Sequence, residues 1–268
     1  MLLPFDGRVI AYDLVGPGLG PVVCLTHALA ADGGMWAEQV PALVQAGFRV
    51  LRIDMRGHGG SDPVAGGYSM SALAADVVAV LDRLSIARVH YVGLSIGGMI
   101  GQAFALQHRD RLISALWSDT LPSAPAGAAD VWAQREAAVR QAGSLAPLAD
   151  GTMERWLTES FKQRKPGRGQ QIRDTILGTT PAGFLGCAAA LQAFDFVPNL
   201  PSLALPVLVV CGADDAGTPP DENRRLAGLV PGARYEAIAA ARHLPNIEQA
   251  WEFNRVLLGW LGVQRGRS

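Results

Sequence analysis

Val89-His-Tyr-Val-Gly-Leu-Ser-Ile-Gly-Gly-Met-Ile-Gly-Gln102 joins two structural signals at one residue. The apolar run at its start reads as a buried strand, and residues 97–108 read as a helix. Between them Gly93-Leu-Ser-Ile-Gly97 matches G-x-S-x-G. Alone the pattern is weak, and an ordinary Gly-rich turn capped by serine is the plain alternative. The strand-to-helix setting favours a candidate nucleophile. A serine there sits on a very sharp turn with strained backbone, and Gly93 and Gly97 remove the side chains that would collide. The turn lifts the Ser95 hydroxyl off the sheet, above a helix N-terminus with unpaired N–H groups and a positive dipole end.

Outward from this point the pattern repeats. Residues 8–15, 21–26, 48–53, 88–93 and 112–117 read as strands. Residues 36–46 read as a helix ended by Gly47. Residues 71–84 read as another, with Ser71 as N-cap and Leu73, Val77, Val80, Leu81 and Leu84 at helical spacing. From about 121 to about 203 no strand pattern is found. Seven prolines between Pro122 and Pro201 punctuate helix-like pieces, two of them at 131–141 and 153–163. Alternation then resumes with strand 206–211, helix 220–229, strand 233–238 and helix 247–261. Short buried strands alternating with helices predict an α/β fold, a mostly parallel sheet covered on both faces. We expect a core of residues 1–120 and 204–268, with 121–203 inserted as a helical cap.

Composition narrows the classes of function. The chain has 268 residues, 49% hydrophobic and 18% charged, with a formal net charge of −1. No basic stripe suggests nucleic acid as a partner, and the cluster at 162–168 reads as a solvated turn. Cys24, Cys187 and Cys211 form a sparse, odd set read as packing residues. They suit a reducing cytosol, so a cytoplasmic location is expected. Neither a signal peptide nor a membrane span is expected.

A nucleophilic serine needs a base, an acid and an oxyanion site. Of five histidines, His243 falls after the last strand and before the last helix, where a base should hang over the sheet edge. Asp215 fills the fourth place of Gly-x-x-Asp counted from Gly212, just after strand 206–211. Asp214 beside it, and Asp119 after strand 112–117, are the other candidate acids. The order Ser95, Asp215, His243 is the one this architecture uses. A tetrahedral intermediate needs two preorganised N–H donors. One is assigned to Ile96 and the other to Leu29 in the loop after the early strand, with Ala28 or Ala30 in another register. His27 in that loop is a candidate for the pocket. A ligand or base role for it is set against a structural one, holding the loop by hydrogen bonds.

These residues resemble the α/β-hydrolases. Gly93–Gln102, Asp54-Met-Arg-Gly-His-Gly59, Gly212-Ala-Asp-Asp-Ala-Gly-Thr-Pro-Pro220 and His243-Leu-Pro-Asn-Ile-Glu-Gln249 carry the likeness, most similar to the 3-oxoadipate enol-lactonase group. Leu148-Ala-Asp-Gly-Thr-Met-Glu-Arg-Trp156 and Gly183-Phe-Leu-Gly-Cys-Ala-Ala-Ala-Leu191 are similar to that group's lid helices, so the likeness spans nearly the whole chain. It implies an eight-stranded sheet, a lid that shapes the pocket, and hydrolysis of a small ester or lactone without cofactor or metal. One departure is His27-Ala28, where many relatives carry His-Gly; Ala costs more if that backbone is left-handed. Carbon–carbon bond hydrolases and cofactor-free perhydrolases share the triad, and a ligand receptor on a hydrolase core is the non-enzymatic alternative. An enol-lactone carries a free carboxylate, so the pocket should hold a cation. Arg135, Arg140 and Arg155 are candidates, each with an exposed helix charge as its plain reading. Trp132 and Trp156 either line the lid or pack it onto the body. With no cap arginine turned inward, a neutral substrate is expected.

Overall fold

The structure is a computed structural model that describes residues 1–264. Its strands are β1 (Leu2–Phe5), β2 (Arg8–Val15), β3 (Val22–Thr26), β4 (Arg49–Ile53), β5 (Val89–Leu94), β6 (Leu112–Ser118), β7 (Val207–Gly212) and β8 (Arg234–Ile238). They form one eight-stranded sheet in the order β1-β2-β4-β3-β5-β6-β7-β8. Only the β1–β2 and β2–β4 pairings are antiparallel. This is the mostly parallel sheet expected from the strand-helix alternation.

Every residue of β3, β5, β6 and β7 is buried. Such strands lack polar alternation because both faces are covered. Successive side chains still point to opposite faces. Along β7, Val207 and Val209 enter one apolar core and Leu208 and Val210 the other. The helices outside the stretch between β6 and β7 are α1 (Val40–Gln45), α2 (Met70–Arg83), α3 (Ile96–Gln107), α9 (Pro220–Leu229), α10 (Pro245–Glu248) and α11 (Ala250–Gln264). Leu73 and Val77 of α2, Phe104 of α3 and Leu226 of α9 fill the first core, while Leu43 of α1 and Phe253 and Leu257 of α11 fill the second.

Between β6 and β7 run α4 (Ala128–Ala142), α5 (Ala146–Trp156), α6 (Glu159–Arg164), α7 (Pro166–Gly178) and α8 (Pro181–Gln192). The two ends of this stretch are stitched together. Ala124 N donates to Phe194 O and Phe196 N to Pro122 O, both at 2.9 Å, around an antiparallel bridge of Ser123 with Asp195. Among the described residues no helix is long and apolar enough to cross a membrane. All three cysteines are free and buried.

Several helix expectations need correction. The N-cap of α2 is Ser69, not Ser71: Ser69 has the extended backbone a cap requires and its hydroxyl accepts from Ala72 N. Ser71 instead accepts from Gln107 Nε2 at 2.6 Å. The helix expected over 36–46 is a 3-10 turn, Gly33–Trp36, followed by α1 with Pro41 in its first turn. The one expected over 153–163 breaks at Leu157, because Thr158 takes an extended backbone and caps α6. The one expected over 247–261 breaks at Gln249 into α10 and α11.

Candidate active site

Ser95 is the residue between β5 and α3, and its backbone is strained, with φ 59° and ψ −122°. A non-glycine residue there costs on the order of 1–3 kcal/mol and persists only where surroundings enforce it. The enforcement is visible. Ser95 N donates to Ser118 O at 2.9 Å, and Ser95 O accepts from Thr120 Oγ1 at 2.8 Å. A Cβ on Gly93 would stand 2.2 Å from Gly97 O, and one on Gly97 would stand 2.4 Å from Thr26 O. Both glycines are therefore required by backbone crossing at the turn.

His243 lies between β8 and α10. Its Nδ1–H donates to Asp215 Oδ2 at 2.8 Å, which leaves Nε2 as the proton-accepting nitrogen. Asp215 follows β7 and also accepts from Thr218 Oγ1 at 2.5 Å, Gly217 N at 2.8 Å and Thr218 N at 3.2 Å. Burial opposes its ionised form, but the charge of His243 and these donors outweigh burial and hold the carboxyl at about 2. Asp214 is exposed, and its N–H donates to Ala241 O. The short run Asp215-Ala-Gly-Thr218 carries the signal for the extra donors, since an Asp side chain readily accepts from backbone two and three residues on. Thr218 was not singled out from sequence.

Ser95, Asp215 and His243 line one cavity of about 330 Å³. Among the described residues no hydrogen bond joins Ser95 Oγ to His243 Nε2; such bonds commonly tighten only when substrate binds. Trp156 of α5 lies over the imidazole, with ring centroids 6.3 Å apart and planes 29° apart. Leu29 is also in the cavity wall, and Ile96 opens α3 beside Ser95. Among the described residues no hydrogen bond uses the N–H of either. The left-handed residue of the loop is Ala30, with φ 61°, and not Ala28. The departure from His-Gly at Ala28 therefore carries no backbone penalty.

His27 does not line the cavity. It is fully buried, its Nδ1–H donates to Ala28 O at 2.8 Å, and its Nε2 accepts from Met55 N at 2.9 Å. Both ring nitrogens are occupied in holding the loop, so the pocket placement is corrected to the structural one. Burial lowers its pKa to about 4.

Trp132, Arg135 and Trp156 do line the cavity, and Arg155 joins them. The Arg135 guanidinium lies 5.0 Å over the Trp132 ring, and Arg155 Nη2 donates to Thr152 Oγ1 at 3.0 Å. Among the described residues neither arginine has a carboxylate within 4.0 Å. Burial lowers the pKa of both, and the charge of Arg135 lowers that of Arg155 further. Arg140, by contrast, is exposed and pairs with Glu136 at 3.6 Å.

Asp119, Asp215 and His243 bring one oxygen or nitrogen each within 4.8 Å of one another. The 2.8 Å contact of His243 Nδ1 with Asp215 Oδ2 is a proton-bridged distance, and the other Asp215 oxygen is occupied by two backbone N–H groups. His243 and Asp215 thus hold each other through atoms that a metal ion would need.

With this geometry in place, comparison with known proteins is direct. A family model for the α/β-hydrolase fold matches residues 21–250. The chain belongs to the α/β-hydrolase fold family. It is 30% identical to 3-oxoadipate enol-lactonase 2 of Acinetobacter baylyi, over 92% of this chain and 90% of that one. The solved enol-lactonase of Burkholderia xenovorans LB400 superposes with a TM-score of 0.93 at 35% identity, covering 98% of this chain and 100% of that one. A thermophilic esterase of Thermogutta terrifontis gives a TM-score of 0.91 at 30% identity, covering 98% and 97%. These relatives of the α/β-hydrolase chain are hydrolases of esters or lactones by name.

Proposed function

We propose that this α/β-hydrolase cleaves a small carboxylic ester or lactone through an acyl-enzyme, with Ser95 as nucleophile, His243 as general base and Asp215 as the orienting acid. The observation that carries the reading is the hydrogen bond of His243 Nδ1 to an ionised Asp215, in a cavity that Ser95 also lines. His243 Nε2 takes the Ser95 proton as Oγ attacks the carbonyl carbon. The N–H groups of Leu29 and Ile96 receive the oxyanion. The imidazolium then returns its proton to the leaving oxygen, and the ester bond breaks. Water attacks the acyl-enzyme as His243 accepts its proton, and the imidazolium returns that proton to Ser95 Oγ as the acyl–oxygen bond breaks and the acid is released. Asp215 fixes the tautomer and stabilises the imidazolium without taking the proton. Residues 1–120 and 204–268 form the body in this reading, and 121–203 form a cap that supplies the far wall.

The substrate is an acidic lactone or ester, of the kind the enol-lactonase relatives are named for. Arg135 and Arg155 support this, as cations in the cavity wall without a carboxylate partner. A free carboxylate of substrate would complete the pair with charge-assisted hydrogen bonds. The test compares kcat/KM on two lactones that differ only in a carboxylate. The acidic one should be preferred, and Arg135→Met or Arg155→Met should lower its kcat/KM by about 10- to 100-fold, the value of a charged hydrogen bond. Equal efficiency on both lactones would remove the acidic-substrate assignment.

A further inference from the structure

Behind His243 lie two carboxyl groups where one would suffice. Asp119 follows β6 and is fully buried. Its Oδ1 accepts from Gly212 N at 2.8 Å, and its Oδ2 lies 2.6 Å from Ser118 Oγ. One of its oxygens lies within 4.8 Å of both an Asp215 oxygen and a His243 ring nitrogen. Like charges this close in a buried site do not both ionise.

Among the described residues no Lys or Arg lies within 4.0 Å of either carboxyl, and His243 bonds Asp215. The groups facing Asp119 from neighbouring strands are the Cys211 thiol of β7 and Tyr235 of β8, both of which also feel Arg224 of α9. The thiol stays neutral, because burial pushes its pKa far up. Arg224 pairs with Asp221 at 2.5 Å and lies over the Tyr235 ring. Asn223 of α9 is uncharged and accepts from Thr120 N.

The single negative charge therefore has two possible seats, and the donors decide between them. Asp215 accepts four hydrogen bonds, including that of His243. Asp119 accepts two, from Ser118 Oγ and Gly212 N. We propose that Asp119 holds a proton in the working enzyme, so that the two carboxyl groups share one negative charge and Asp119 acts as a positioning residue for Asp215. Burial, and then the charge of Asp215, raise the Asp119 pKa well above the carboxylate range, in the same direction. The consequence falls on the base. A second buried negative charge at this distance would favour the imidazolium of His243 over the neutral ring that accepts the Ser95 proton. A neutral Asp119 carboxyl instead fixes Gly212, the residue from which the Asp215 turn departs, at no electrostatic cost to the base.

This rests on the hydrolase reading, and the experiment has one arm that does not. Infrared spectroscopy of the resting enzyme at pH 8 should show the carbonyl stretch of a protonated carboxyl group, lost in Asp119→Asn. That arm needs no turnover, so an enzyme inactive on every ester would sink the hydrolase reading without touching this one. In the kinetic arm, Asp119→Ala should lower kcat/KM by about tenfold, because Gly212 N–H loses its acceptor. Asp119→Asn is a neutral isostere that tolerates the left-handed backbone at this position (φ 46°). It should restore most of the loss, with the acid limb of the kcat/KM profile unmoved. No protonated-carboxyl band at pH 8, or an Asn variant whose acid limb moves down by about one pH unit or more, would overturn the proposal by showing an ionised Asp119.

Discussion

Glu248 Oε2 accepts the backbone N–H of Thr158 at 2.6 Å, while Oε1 of the same side chain accepts the N–H of Arg242 at 2.6 Å. Thr158 begins the turn after α5, and Arg242 immediately precedes His243. One buried carboxylate thus fixes the loop that carries His243 to the helix that carries Trp156. Thr158 Oγ1 donates to the same carboxylate at 2.6 Å, and Leu244 N donates to Trp156 O at 3.3 Å. Glu248→Ala leaves these donors unsatisfied in a buried place. It should cost about 2–4 kcal/mol of stability in a urea titration and lower kcat more than KM. An Ala variant as stable and as active as the parent would show that the clamp does not position His243.

The choice between two adjacent aspartates is also open to experiment. Asp215→Asn should lower kcat by about 10³–10⁴-fold with KM little changed, because the amide disfavours the imidazole tautomer that leaves Nε2 free. Asp214→Asn, at an exposed side chain, should stay within about twofold of the parent, as surface substitutions do. The reverse ranking would move the acid to Asp214.

Stability should fall as the pH drops, before Asp215 is protonated. Burial lowers His27 to about 4, and burial with the nearby His27 ring lowers His58 to about 3. In the unfolded chain both titrate near about 6.5. Below that pH the unfolded state binds more protons, so their contribution is complete above about 6.5 and is lost as the pH falls toward the folded values. Asp215, held at about 2, contributes fully above about 4 and loses this only as pH falls from there toward 2. In Asp119→Asn, which removes the opposing contribution of a carboxyl protonated only in the folded state, a melting temperature at pH 5 several degrees below that at pH 7.5 isolates the histidine part. Equal melting temperatures would contradict neutral, buried rings.

Much of this was legible in the chain, and the limits have physical causes. The elbow was readable because G-x-S-x-G stood between a β-branched run and a helix, and only a glycine-flanked crossing allows that turn. Helix Pro220–Leu229 and strand Arg8–Val15 matched their expected bounds, since each carries its own periodicity and end signals. Strand β1 went unread, although Asp6-Gly7 with both φ positive (51° and 73°) is the hairpin turn that pairs it with β2. Helix breaks at Leu157 and Gln249 were invisible for another reason. Thr158 is drawn out of the helix by Glu248, ninety residues away in the chain, and no local pattern reports such a partner. His27 stood between the pocket and a loop-holding role, and only the fold decides for the second, with Met55 N claiming its other nitrogen.

Trapping the acyl-enzyme tests the central claim most directly. The protein would be mixed with a p-nitrophenyl ester, quenched in acid within the first turnover, and its peptides mapped by mass spectrometry. The account predicts an acyl group on the peptide bearing Ser95, formed with a burst of p-nitrophenol, and neither acylation nor turnover in Ser95→Ala. Ester hydrolysis that survives Ser95→Ala undiminished, or an acyl group carried on another residue, would contradict it.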